Sequence, residues 1–225
     1  MSRIFRDRRD AGIQLAAQLS AYADDPQVIV LGLPRGGVPV AYEVACRLHA
    51  PLDVFLVRKL GVPGHRELAM GAIASGGVRV LNPEVTNFLQ ISTAVIDLVA
   101  ENELRELERQ ERAYRDDRAF PLLAGRTVIV VDDGLATGST MLAAVRALRM
   151  NSPARIVAAA PVAARETCWL LAREADDVVC CNMPEAFHAV SIWYEEFEQT
   201  SDEEVKSLLE DAADGVAQSR RRGER

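Results

Sequence analysis

The segment VIVVDDGLATGST, residues 128–140, constrains the fold of this chain more than any other part of it. Its β-branched start predicts a short strand, two acids follow directly, and a turn rich in glycine and hydroxyls leads into a helical pattern. A strand, a glycine turn and a helix in this order are typical of the carboxyl edge of an open α/β sheet, where such folds bind ligands. The segment therefore predicts both a fold class and the place of a binding site.

The turn in this segment has the composition of an anion site. Gly134 and Gly138 allow the backbone to aim successive N–H groups at one anion, and the helix start adds a favourable field. Asp132 and Asp133 repel a phosphate, but they suit vicinal hydroxyls or a bound Mg²⁺. Further donors are the hydroxyls of Thr137, Ser139 and Thr140. One ligand with ribose hydroxyls and a 5′-phosphate would satisfy both halves of the segment.

Short apolar runs alternate with amphipathic segments along the rest of the chain, which favours strands joined by crossover helices. Strands are predicted at 28–32, 54–57, 127–131, 156–161 and 178–181, with a shorter strand pair within 70–81. Helices are predicted at 11–22, 38–49, 93–118, 140–149 and 163–174, and after Ser201 as N-cap. We therefore expect an α/β fold, a mostly parallel twisted sheet flanked by helices.

A chain of 225 residues fits one large domain or two small ones, and we expect a single domain over 1–225. Its core is expected at about 24–182, with a C-terminal cap and tail at about 183–225, of which residues 219–225 are expected to lack fixed structure. A charged stretch at about 92–118 predicts a long helical insertion, with Leu104 and Leu107 on one stripe. This helix is expected to be solvated or to face a second copy in a homodimer.

Charge and composition disfavour several kinds of partner, although they leave room for a local basic pocket. The formal net charge of -7 and the sequence pI near 5.1 disfavour nucleic acid as the partner. No apolar stretch approaches the roughly 20 residues that span a bilayer, so no membrane partner is expected. The four cysteines lack CxxC spacing and are expected to be reduced thiols in a cytoplasmic protein.

The segment VIVLGLPRGGVPVAYEVA, residues 28–45, repeats the order of strand, glycine turn and helix. Exposed N–H groups around Gly36 and Gly37, together with the fixed charge of Arg35, suit a second anion such as a pyrophosphate. A purely structural turn between strand and helix is the alternative.

These residues resemble the phosphoribosyl pyrophosphate (PRPP) signature of type I phosphoribosyltransferases, in which an apolar strand, two acids, a short spacer and a TG-containing turn follow one another. The resemblance implies that Asp132 and Asp133 hold the ribose hydroxyls, with Mg²⁺ carried by PRPP and bound directly or through water. It implies that the 5′-phosphate is cradled by Gly134, Ala136, Thr137, Gly138, Ser139 and Thr140. It also implies the fold of that family, with a small hood and a flexible lid loop.

Two further segments are similar to functional loops of this family. The turn with Arg35, Gly36 and Gly37 resembles the loop that binds the pyrophosphate leaving group, which makes Arg35 a catalytic candidate. Residues 57–77 match a flexible loop that closes over PRPP and supplies cations, here Arg58 for binding and Lys59 for catalysis. Proton transfer to or from the acceptor would use Glu67 or His65, and a solvated surface loop is the alternative for both.

The acceptor is expected between the acidic segment and the cap. Hypoxanthine-guanine enzymes usually carry a further acid where this chain has Ala136, which favours a base that is not a 6-oxopurine. Phe187 resembles the hood aromatic that stacks on a base in some relatives, but core packing of Phe187, Trp193 and Tyr194 explains it at least as well. His188 is expected to be structural.

The resemblance therefore predicts an enzyme of nucleotide metabolism, a phosphoribosyltransferase that moves phosphoribosyl from PRPP to a nitrogenous, base-like acceptor with Mg²⁺ as cofactor. It extends to a bacterial group whose membership leaves the acceptor unassigned. A regulator that binds PRPP or a nucleotide without turnover is the alternative. The commonest hydrolase and nucleotide-kinase motifs, GxSxG, HExxH and the Walker A lysine, are absent.

Overall fold

The computed structural model describes residues 4–116 and 118–223, apart from the side chains of Arg66 and residues 216–223. The strands are β1 Val28–Gly32, β2 Leu52–Val54, β3 Val57–Val62, β4 His65–Ala74, β5 Val78–Leu81, β6 Thr127–Val131, β7 Arg155–Val162 and β8 Asp177–Asn182. The α-helices are α1 Arg8–Gln18, α2 Gly37–Leu48, α3 Pro83–Phe88, α4 Thr93–Arg115, α5 Ser139–Arg149, α6 Arg165–Leu171 and α7 Asp202–Gly223. Within these residues no helix is both long and apolar enough to cross a bilayer.

A five-stranded parallel sheet forms the centre, in the order β2-β1-β6-β7-β8. One face packs against α1 and α2, and the other packs against α5 and α6. The predicted α/β class is thereby confirmed. Strands β1 and β6 begin and end at the predicted residues, because each is an aliphatic run buried in the sheet and followed by a turn.

The predicted strand at 54–57 is wrong as a single element. Strand β2 ends at Val54, Phe55 and Leu56 lie between elements, and β3 begins a separate sheet at Val57. Both intervening side chains are buried, and the Leu56 N–H donates to Ser75 Oγ at 3.0 Å. A continuous apolar run therefore crosses from one sheet to the other, and its pattern does not reveal the break.

The predicted lid loop is instead a β-hairpin. Strands β3, β4 and β5 form a three-stranded antiparallel sheet, and the turn between β3 and β4 contains Gly64 at φ +80°. Leu60, Met70 and Ile73 from this sheet are buried with residues of α4. Their burial orders the segment despite its glycines and charges, and its mobility stays a prediction.

The long charged helix is confirmed as α4, which begins at the predicted Thr93 but ends at Arg115 rather than 118. Its stripe is partly as predicted, since Leu107 is fully buried and Leu104 is half-buried. This face packs against β3, β4 and α7, so the helix is more than a solvated insertion. Its role in a homodimer stays a prediction.

The remaining helices differ from prediction mainly at their ends. Helix α1 begins three residues earlier, at Arg8, and α6 ends at Leu171 rather than 174. Ser201 caps α7 as predicted, because its Oγ accepts the Glu204 N–H at 3.1 Å. The terminal residues 219–225, expected to lack fixed structure, continue α7 as far as Gly223, and 224–225 lie outside the described residues. The cysteines are free thiols, of which only Cys168 is buried and Cys46 is exposed.

Candidate active site

Two glycine-containing loops meet at the carboxyl edge of the central sheet. We call residues 132–140 the acid loop and residues 34–37 the arginine loop. They follow the neighbouring strands β6 and β1, and the Leu33 N–H donates to the Val131 carbonyl at 2.9 Å. The sequence predicted both loops separately, and the parallel pairing of their strands brings them together.

The glycines of the arginine loop allow this close approach. A Cβ on Gly37 would lie 2.6 Å from the Val131 carbonyl oxygen and 2.9 Å from Asp132 Cα. A Cβ on Gly36 would lie 2.1 Å from Asp133 Oδ2. The Gly37 N–H donates to the Leu33 carbonyl at 3.0 Å, so the prediction that it is exposed for an anion is wrong. The acids therefore pack directly against the arginine loop.

The turn of the acid loop is held open toward solvent. Gly138 has φ +66° just before α5 begins, and Thr137 Oγ1 lies 3.1 Å from Ser139 Oγ. Among the described residues, no protein acceptor binds the backbone N–H groups of Ala136, Thr137 or Gly138. These donors and the start of α5 have the geometry of an anion nest.

Thr167, which the sequence analysis overlooked, supports this turn from α6. Its hydroxyl donates to the Ala136 carbonyl at 2.5 Å. A Cβ on Gly138 would lie 2.3 Å from Thr167 Cγ2. Because Thr167 is 31 residues from Ala136 along the chain, no local pattern indicates this contact.

The paired acids sit in an environment that disfavours two negative charges. Burial raises the pKa of Asp132 well above its usual value, and repulsion from Asp133 raises it further. Burial also raises the pKa of Asp133, although the Arg8 guanidinium opposes this change. Carboxylates held in this way suit hydroxyl donors or a hard cation such as Mg²⁺. Within the described residues, no three His, Cys, Asp or Glu side chains form a metal site by themselves.

Arg8 is a second contributor that sequence reasoning missed. Its Nε donates to Asp133 Oδ2 at 2.8 Å, and both side chains are mostly buried, at 12% and 15% exposure. Tyr194 from the cap donates its hydroxyl to the Asp133 carbonyl oxygen at 2.5 Å. Both terminal segments therefore contact one acid of the central loop.

Arg35 and Thr140 line one cavity of about 360 Å³. Arg35 Nη1 lies 3.9 Å from Asp202 Oδ1, and the same carboxylate oxygen accepts the Tyr114 hydroxyl at 2.5 Å. Tyr114 belongs to α4 and Asp202 begins α7, so elements distant in sequence complete this cavity. Thr140 and Arg35 are thus brought together, as the two loop predictions required.

The charged residues of the hairpin line a different, adjacent cavity of about 700 Å³. Arg58 pairs with Glu103 of α4 at 2.6 Å, and the exposed Lys59 and Glu67 pair at 3.3 Å. The structure therefore does not place Arg58, Lys59 or Glu67 in the cavity of Arg35. His65 is exposed, as expected of a surface residue.

The cap packs onto the acid loop through aliphatic and aromatic side chains. A Cβ on Gly134 would lie 2.4 Å from Val190 Cγ1. Trp193 and Tyr194 are buried, and half-buried Phe187 packs with them, which supports the core-packing interpretation. His188 is exposed, so its predicted structural role is not borne out by burial.

A family model described as the phosphoribosyl transferase domain matches residues 6–196. The chain belongs to this family. Two proteins of Mycobacterium tuberculosis, from strains CDC 1551 and H37Rv and provisionally named phosphoribosyl transferases, are 47% identical over 210 residues, which is 93% of this chain. The chain spans about half of their length, 47%.

The crystal structure of TT1426 from Thermus thermophilus is similar to this phosphoribosyl transferase domain throughout. It has a TM-score of 0.84 and 41% sequence identity, covering 93% of this chain and 99% of that one. The family expected from residues 128–140 is therefore confirmed. The roles of the individual residues and the acceptor stay predictions.

Proposed function

We propose that this phosphoribosyl transferase domain transfers the phosphoribosyl group of PRPP to a nitrogenous acceptor and releases pyrophosphate. The observation that carries the proposal is the packing of the acid loop against the arginine loop. It brings the two carboxylates and the glycine turn of the acid loop beside a second glycine turn, and we interpret these as acceptors for ribose hydroxyls and an anion nest. Family membership supports a PRPP-type substrate and a base acceptor.

In this proposal the two halves of PRPP bind to different loops. The turn around Thr137 and Gly138 holds the 5′-phosphate, and Asp132 and Asp133 accept hydrogen bonds from the ribose hydroxyls. The arginine loop lies beside the pyrophosphate. If Mg²⁺ binds together with PRPP, Asp132 and Asp133 would hold it directly or through water, and it would neutralise charge on the pyrophosphate.

The reaction requires little covalent chemistry from the protein. The bond from the anomeric carbon to the pyrophosphate oxygen breaks, a bond to the acceptor nitrogen forms, and positive charge develops on the ribose ring. Orientation of the two reactants and neutralisation of the leaving group are the main contributions. We assign neutralisation of the leaving group to Arg35 and Lys59, and proton transfer at the acceptor to Glu67.

Lys59 and Glu67 can act only if the hairpin approaches the arginine loop. Their present ion pair is exposed, and surface pairs of this kind contribute little stability, about 0–1 kcal/mol. Breaking the pair so that Lys59 can reach a pyrophosphate therefore costs little free energy. We propose that the hairpin closes over PRPP.

We propose a nitrogenous base other than a 6-oxopurine as the acceptor. Ala136 lies at the position where hypoxanthine-guanine enzymes carry an acid, and a methyl group cannot assist proton removal. A panel of bases and amines tests this point. Turnover of hypoxanthine or guanine would contradict the acceptor and leave the PRPP assignment intact.

The deciding experiment measures Mg²⁺-dependent release of pyrophosphate from PRPP across that panel, with PRPP binding followed in parallel by calorimetry. The Asp132→Asn, Asp133→Asn double variant is the matched control, since it keeps side-chain size and removes both charges. Release by the wild type alone supports an enzyme. Tight PRPP binding with no release from any acceptor favours the regulator, and absence of binding contradicts both.

A further inference from the structure

The side chain of Arg8 joins three parts of the molecule that are far apart in sequence. Its Nε binds Asp133 Oδ2 at 2.8 Å, and its Nη1 donates to the Glu198 carbonyl at 2.5 Å. The guanidinium carbon lies 3.9 Å from the ring centre of Phe197. One planar group thus makes an ion pair, a backbone hydrogen bond and a cation–π contact at once.

The backbone around Arg8 is fixed independently of these contacts. Asp7 caps α1 by accepting the Asp10 N–H at 2.7 Å. Before it, the Phe5 N–H donates to the Trp193 carbonyl and the Phe5 carbonyl accepts the Glu195 N–H, both at 2.8 Å. The start of the chain is therefore paired with the cap, and Arg8 extends from this pairing to the acid loop.

Arginine suits this position for a geometric reason. The guanidinium fork can address Asp133 and the Glu198 carbonyl in one plane while its face lies on Phe197. A lysine ammonium is a point charge and cannot make all three contacts together. Phe197 and Glu198 lie just beyond residues 6–196, where the family model matches.

We propose that Arg8 is a positioning residue for ribose recognition, which orients the Asp133 carboxylate by binding one of its oxygens. The inference rests on the proposed function, because it assumes that Asp133 accepts a ribose hydroxyl. Arg8 itself does not contact the sugar. It links the orientation of the Asp133 carboxylate to the packing of the cap, through its hydrogen bond to the Glu198 carbonyl. Selectivity for a ribose-bearing ligand over bare pyrophosphate then depends on residues outside the loop.

The test compares two ligands in the presence of Mg²⁺, PRPP and inorganic pyrophosphate, by calorimetry. Arg8→Gln should weaken PRPP binding about tenfold or more, on the scale of hydrogen bonds to charged groups, and leave pyrophosphate affinity within about twofold. Arg9→Gln is the matched control, since Arg9 is the next residue of α1, is 65% exposed and also pairs with an acid. It should bind both ligands like the wild type.

A double-mutant cycle shows whether Arg8 acts through Asp133. In the Asp133→Asn background, the further change Arg8→Gln should alter PRPP affinity by less than about twofold. Equal losses for PRPP and pyrophosphate, or a full effect in that background, would overturn the positioning role. A wild type that binds no PRPP would overturn the proposed function itself, and this inference with it.

Arg8→Lys keeps the test decisive if the glutamine variant does not fold. It retains the positive charge and should weaken PRPP binding about threefold, because the planar fork is lost. Its pyrophosphate affinity should match that of the wild type. PRPP affinity equal to the wild type in folded Arg8→Lys would overturn the proposal.

Discussion

The two glycine loops and the β3–β4 hairpin all carry residues expected to contact PRPP, but they differ in how closely other protein atoms pack around them. In the loops, a Cβ on Gly36 or Gly37 would overlap protein atoms, and the acids lie mostly below the surface. In the hairpin, Gly64 has open space around it and Lys59 is exposed. The two glycine loops are therefore sterically constrained by neighbouring protein atoms. The tip of the hairpin is not, and it presents exposed charged side chains.

The largest effect is expected from Gly37→Ala. The added methyl group would meet backbone atoms of residues 131 and 132, which cannot move without separating β1 from β6. PRPP affinity should fall about 100-fold or more, on the upper scale of overpacking costs. Calorimetry measures this loss, and circular dichroism checks that the variant is folded.

Gly64→Ala is the control from the hairpin. Its φ of +80° makes alanine unfavourable by about 1 kcal/mol, but the position has room for a methyl group. The free energy of unfolding should fall slightly while PRPP affinity stays within about twofold. Equal losses of affinity in the two variants would remove the distinction between the loops and the hairpin.

A smaller loss is expected from the acids themselves. Asp132→Asn and Asp133→Asn should each weaken PRPP binding by about 1–3 kcal/mol, since a charged acceptor of the ribose hydroxyls is lost. Titration calorimetry with Mg²⁺ gives the two values. Unchanged affinity in a folded double variant would remove both acids from the site.

The loops were more predictable from sequence than the hairpin for a physical reason. A buried parallel strand is a continuous aliphatic run, so its bounds and the turn that follows are local signals, as at Thr127–Val131. The charges and glycines of the hairpin resemble those of a loop. Its order comes from Leu60 and Met70 packing against α4, which is a tertiary effect.

The residues that hold Asp133 in place could not be predicted from local sequence patterns. Arg8 and Asp133 are 125 residues apart, and Tyr194 is 61 residues from the same acid. Nothing near Arg8 distinguishes it from the other arginines of the first ten residues. These contacts depend on the tertiary structure, which brings α1 and the cap to the same edge of the central sheet.

Turnover should fall when either cation assigned to the leaving group is removed. Lys59→Met should lower kcat for PRPP about tenfold and leave Tm nearly unchanged, because its ion pair with Glu67 is exposed. Arg35→Met should lower kcat similarly. Pyrophosphate release under saturating PRPP gives both values, and a Lys59 variant with wild-type kcat would confine the chemistry to the loops.

The smallest expected effect is a pH dependence of stability that the buried acids cause. Burial raises the pKa of Asp132 in the folded chain, whereas the unfolded chain titrates near 3.9. Between these values the folded state binds more protons, so the contribution of Asp132 to the free energy of unfolding falls as pH rises. Asp132→Asn removes this cost and also relieves Asp133 of its charged neighbour. The variant should therefore gain stability relative to the wild type as pH rises above about 4, although it binds PRPP less well.

Urea unfolding of both proteins with a chelator present measures the difference, and Glu67→Gln controls for the change in net charge. A difference that is constant with pH, or that shrinks as pH rises, would show that Asp132 ionises in the fold as easily as in water.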